Sequence, residues 1–115
     1  MHLDLSVLQG FIGDNLKTRQ RILAKFGLLI KDTRGIVVNA ANEGVLDVVR
    51  SACHSLKSSS RSVGAIELGR LSEQLEAIGA GRAPGPIEPV LACFLEECSA
   101  VERELTEKIN ETGWL

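Results

Sequence analysis

The sequence predicts an all-α fold, an antiparallel up-down four-helix bundle with a short N-terminal lid helix. Three observations predict it. Apolar residues recur close to i, i+3, i+4, i+7 along nearly the whole chain. No alternating apolar/polar run exists that could pair with the one β-branched stretch, Gly35-Ile-Val-Val. Glycine, proline and asparagine gather at a few points, the densest being Gly79-Ala-Gly-Arg-Ala-Pro-Gly-Pro. With 115 residues, the chain suits one domain, 1–115, able to bury about two-thirds of its unfolded surface.

The elements follow in order. Asp4 precedes Leu5, Leu8, Phe11 and Ile12, which predict the lid helix. Asp14 is the expected N-cap of a long helix reaching about Ala40. That helix carries Leu16, Ile22, Leu23, Phe26, Leu29, Ile30, Ile36 and Val37 and is expected to loosen and end after Gly35. Asn42-Glu-Gly44 supplies a turn. A second main helix runs from about Val45 to Ser62, with Leu46, Val49, Cys53, Leu56 and Val63 near one side. A third follows Gly64 with Leu68, Leu71, Leu75 and Ile78 in one stripe. The last is expected to begin near Pro86, a residue suited to a first helical turn. Its apolar set is Ile87, Val90, Leu91, Phe94, Leu95, Cys98, Val101, Leu105 and Ile109. Helices of this length joined by short connections pack antiparallel.

Composition narrows the function. Lys and Arg number 13 against 15 Asp and Glu, a formal net charge of −2. Nucleic-acid binders show a basic excess, so no nucleic-acid partner is expected. With 3% aromatics and no tyrosine, platforms for stacking bases are lacking. No apolar run approaches the ~20 residues of a membrane span, and the N-terminus lacks the basic start and apolar core of a signal peptide. Three cysteines, Cys53, Cys93 and Cys98, follow no framework spacing and are expected as free thiols in a reducing cytosol. Cys93 and Cys98 are expected in the core. The chain is expected to be a cytoplasmic monomer without membrane contact.

The chemistry gathers in Arg50-Ser-Ala-Cys-His54-Ser-Leu-Lys57-Ser58-Ser-Ser-Arg61-Ser-Val-Gly64-Ala65. At about 100° per residue, Asp47, Arg50, Ser51, Lys57, Ser58 and Arg61 fall near His54, on the side opposite the apolar positions. His54 is therefore expected to be exposed in mid-helix, with Lys57 on the same solvated face and small residues around it. Such an imidazole lacks a second acid or nucleophile at a useful spacing for hydrolysis. It also lacks a companion for metal binding, since His2 is the only other histidine. A neutral imidazole can act as a nucleophile toward phosphorus, and a lysine one turn away would offset the incoming charge. The competing reading is a solvated helix face with no chemistry. By the same standard the glycine-rich stretch at 79–86 is a turn, because no strand precedes it. The glutamates Glu96, Glu97, Glu102, Glu104, Glu107 and Glu111 are expected to form a solvated face. The place of Trp114 is open.

The run from His54 to Glu76 resembles the histidine phosphotransfer (HPt) domains of bacterial two-component phosphorelays. Their motif reads His, any residue, Leu, Lys, Gly, then small residues, Gly-Ala after a short gap, and Leu-Glu closing the next helix. His54, Leu56, Lys57, Gly64, Ala65, Leu71, Leu75 and Glu76 match, and Ser58 stands where glycine is usual. The resemblance covers about a fifth of the chain. It implies that His54 accepts a phosphoryl group from a receiver-domain aspartate and passes it to a response-regulator receiver, with Lys57 stabilising the phosphoryl group. Ser58, Arg61, Gly64, Phe11, Ile12 and Leu29 are the expected partner contacts. No cofactor is expected on this chain, the magnesium ion belonging to the receiver. No ATP site is visible, so kinase activity is not expected of this chain alone. The setting expected is the C-terminal HPt domain of a hybrid sensor kinase. The alternatives are a free-standing shuttle and a helical interaction module that carries no phosphate.

Overall fold

The structure, a computed structural model, describes residues 2–111. It contains α1 (Leu5–Ile12), α2 (Leu16–Glu43), α3 (Leu46–Ser62), α4 (Ile66–Gly79) and α5 (Glu88–Ile109), with no strand among the described residues. The four long helices form the bundle and α1 covers one end, as the sequence predicts. No helix is long and apolar enough to cross a membrane among the described residues.

The helix ends show what local signals can and cannot place. Asp4 caps α1, its carboxylate accepting from the Ser6 amide. Asn15, not Asp14, caps α2 by accepting from the Thr18 amide, while the Asp14 carboxylate accepts from Gln9 instead. α2 does not loosen at Gly35. It continues to Glu43 and ends on Gly44 in the left-handed region. Val37, fully buried against the other helices, holds this stretch helical, and tertiary packing overrides the weak local preference. α5 begins at Glu88, with Pro89 rather than Pro86 in its first turn.

Leu23, Phe26, Ile30, Val37, Val49, Cys53, Leu56, Leu68, Leu75, Phe94, Cys98 and Val101 form the centre of the core. Leu16, Ile36 and Leu46, expected inside, are exposed. Small residues bring α3 and α4 together. A Cβ at Gly79 would stand 2.9 Å from the Leu46 carbonyl oxygen, and one at Gly69 would stand 3.2 Å from Arg61 Cγ. This close approach lets short side chains of one helix reach the other.

The segment before α1 is pinned at three points. Leu3 is buried in the core, the Asp4 amide donates to the Gly64 carbonyl (2.9 Å), and the His2 ring bonds Glu97 through Nδ1 (2.8 Å). Gly64 is therefore not a surface contact. It is buried at φ +84°, and a Cβ there would lie 1.9 Å from the Asp4 carbonyl oxygen. Nor are the α5 glutamates simply solvated. Glu97 is buried against His2, Glu104 accepts from the His2 amide, Glu102 pairs with Arg34 of α2, and Glu111, just past α5, pairs with the buried Arg19. Cys93 is exposed, whereas Cys53 and Cys98 are buried; all three are free thiols. Trp114 lies outside the described residues.

Candidate functional site

α3 is a strongly amphipathic helix, and its outward face carries the site. Val49, Cys53, Leu56 and Ser60 are buried on one side. His54 projects from the other with its side chain 63% exposed. The α3–α4 hairpin turns through Val63-Gly64-Ala65 and lays α4 antiparallel beside α3. Glu76 then faces His54 and Lys57 across the pair.

The Glu76 carboxylate joins both residues. Its Oε2 accepts from His54 Nδ1 (2.6 Å) and its Oε1 accepts from Lys57 Nζ (2.7 Å). Glu76 is 9% exposed and Lys57 only 18%. Lys57 therefore does not stand free on a solvated face, as its helical position suggests. Its stem bends into the α3–α4 seam and its ammonium is committed to Glu76. The hydrogen bond from Lys57, and after it that from His54, holds the Glu76 carboxyl below its ordinary value near 4.5, although burial pulls the other way.

An ionised carboxylate can only accept. Nδ1 of the neutral imidazole must then carry the proton, which leaves Nε2 with its lone pair on the exposed edge of the ring. Burial of Cys53 beneath this region pushes its thiol up to about 12, so that thiol does not compete as a nucleophile. Among the described residues no group of three His, Cys, Asp or Glu side chains could hold a metal ion.

The other expected contacts fall in several places. Ser58 and Arg61 are exposed on the His54 face of α3, and Arg61 is paired with Glu73 (2.5 Å). Leu29 is half-buried and lines a shallow apolar groove between α2 and α3 with Ile22, Lys25, Phe26, Ser59, Ser62 and Val63. Phe11 is 76% exposed on α1, and Ile12 beside it is half-buried. Neither lines that groove. Glu76 is the residue to which sequence reasoning assigned no role. Its signal was available: it lies two helical turns beyond the buried Leu68, on a stripe directed at a neighbour, where an unpaired acid would be costly.

Comparison with known proteins adds the family. The model of the Hpt domain family matches residues 6–111. Among solved structures, histidine-containing phosphotransfer protein B from Pseudomonas aeruginosa PAO1 is similar with a TM-score of 0.84 and 20% identity, over 94% of each chain. At that identity the likeness carries the fold. A search of curated proteins gave no match.

Proposed function

Because the chain belongs to the Hpt domain family, and so is a histidine phosphotransfer domain of a phosphorelay, we propose that His54 is its phosphoacceptor and Lys57 and Glu76 its working partners. The single observation that carries this is the bond from His54 Nδ1 to Glu76. It frees the outward nitrogen for attack and fixes the tautomer that can make it.

The transfer balances without a proton leaving the site. The Nε2 lone pair attacks phosphorus of a receiver's aspartyl phosphate. The Nε2–P bond forms as the P–O bond to the aspartate breaks, and the electron pair departs with the carboxylate. Nδ1 keeps its proton throughout, and Glu76 stabilises the positive charge that the ring acquires, as a carboxylate does behind other nucleophile-linked imidazoles. The Lys57 ammonium, held within reach by the same carboxylate, stabilises the phosphoryl oxygens. Passage to the second receiver is the reverse of these events. The divalent cation comes with the receiver, and this chain supplies the nucleophile and its orientation.

The partners in this reading are a receiver domain of a hybrid sensor kinase and one of a response regulator. They dock over His54, against the exposed Ser58 and Arg61, the α2–α3 groove around Leu29, and Phe11 and Ile12 of α1. As to setting, the domain serves as the kinase's own terminal domain or as a separate shuttle.

The test is acid-labile, alkali-stable labelling from a phosphorylated receiver. Wild-type protein should label and His54→Gln should not; the glutamine amide can still donate to Glu76 in place of Nδ1, so unfolding free energy should fall by no more than about 1 kcal/mol. Labelling retained in His54→Gln would overturn the assignment.

A further inference from the structure

We propose that Arg50 joins Lys57 in binding the phosphoryl dianion once it sits on His54, as the cation of this surface that no close carboxylate holds among the described residues. The inference rests on His54 being the acceptor. Three cations share the His54 face of α3. Lys57 is held 2.7 Å from Glu76, and Arg61 is held 2.5 Å from Glu73. Among the described residues Arg50 has only Asp47, at 3.8 Å and 89% exposed, a contact too long and too wet to hold a guanidinium.

Position also favours Arg50. It stands four residues before His54, so their Cβ atoms are about 5–6 Å apart on one helix face. Side chains lean toward the N-terminus of their helix. The His54 ring therefore leans over the turn that carries Arg50 and away from the turn that carries Arg61. The backbone of that turn is firmly seated, since Gly79 of α4 packs so close that a Cβ there would meet Arg50 N at 3.0 Å. The guanidinium can then present two parallel N–H donors to two phosphoryl oxygens, a geometry that an ammonium cannot reproduce. The charged groups around the phosphorylated ring are Asp47, Arg50, Lys57 and Arg61 on α3 and Glu73 and Glu76 on α4. Lys25 of α2 lies farther off, along the groove beside Ser59 and Ser62.

Phosphoramidate tests this without any receiver: its P–N bond breaks as Nε2–P forms, and ammonia leaves. The readout is the phosphorus NMR signal of the phosphohistidine followed through pH in wild type, Arg50→Ala, Arg50→Lys and Lys17→Ala, an exposed cation in the first turn of α2, beyond the groove that Ile22 and Lys25 share with Ser59 and Val63, which matches the change in net charge. A nearby guanidinium favours the dianion, so Arg50→Ala should raise the titration midpoint by about half a pH unit or more. Arg50→Lys should recover part of this, and Lys17→Ala should match wild type. Equal midpoints in Arg50→Ala and Lys17→Ala would overturn the Arg50 contact while leaving the acceptor in place. A wild-type signal that His54→Gln leaves unchanged, or no signal in wild type, would overturn the acceptor and the contact together.

Discussion

Glu76 accepts from His54 and Lys57 through separate oxygens, so losing either neighbour leaves a nearly buried carboxylate half satisfied. For a lysine on a solvated face, Lys57→Ala would leave the melting temperature unchanged. With the pairing observed, the variant should lose about 1–2 kcal/mol, a fall of roughly 5–10 °C for a domain this size, measurable by calorimetry. Phosphotransfer should also slow about 10- to 100-fold, and single-turnover transfer compared with Arg61→Ala checks it. Glu76→Gln tests the orientation of the ring. An amide can still accept one hydrogen bond, but it cannot hold Nδ1–H and the ammonium together. Transfer should slow by about an order of magnitude or more. Long-range nitrogen–proton NMR of the imidazole should show the Nδ1–H tautomer prevailing in wild type and losing its preference in the variant. An unchanged tautomer would contradict the role given to Glu76.

Among the elements, two glycines of like backbone conformation should respond differently. Gly64 (φ +84°) and Gly81 (φ +73°) both favour glycine, but only Gly64 has another chain segment pressed against it. Gly81→Ala should cost about 1 kcal/mol, the ordinary cost of a side chain in the left-handed region. Gly64→Ala should cost at least about twice that, since the Asp4 carbonyl must move and Leu3 with it. Urea unfolding of both variants makes the comparison. These positions also show how far the sequence reaches. The amphipathic period located all five helices, because each buries one stripe and that stripe is written in local spacing. It misjudged Asp14, Gly35 and Pro86 because an alternative cap, a packed Val37 and a later proline lay within a few residues. The role of Gly64 was legible only as part of a motif. Its contact is with Asp4, 60 positions away, and no local pattern encodes that approach. The site divides the same way: His54 and its exposure follow from α3 alone, whereas the Lys57–Glu76 pairing depends on the α3–α4 seam.

Over the whole molecule, acid should unfold the bundle from the carboxylates inward. Glu76 sits below its unfolded value, so its contribution is complete above about pH 4.5 and is lost as pH falls through its lower folded value. Asp4, Glu67 and Glu111 are shifted the same way, but they are exposed or half-exposed, and solvent screens their share. Stability measured from pH 6 to 3 should therefore fall less steeply in Glu76→Gln than in wild type. Thiol chemistry provides a second global check. Cys93 should react with an aromatic disulfide reagent in the native state, while Cys53 and Cys98, buried and both pushed up to about 12, should react only on unfolding. The bundle is a rod, 44 Å long and 20 Å across, and its proposed acceptor is a single side chain on one flank. A donor and a recipient that both need that nitrogen cannot occupy it together. Traffic through the domain should therefore follow ping-pong kinetics, each receiver acting as a competitive inhibitor of the other, and an excess of unphosphorylated recipient should throttle the relay it is meant to draw from.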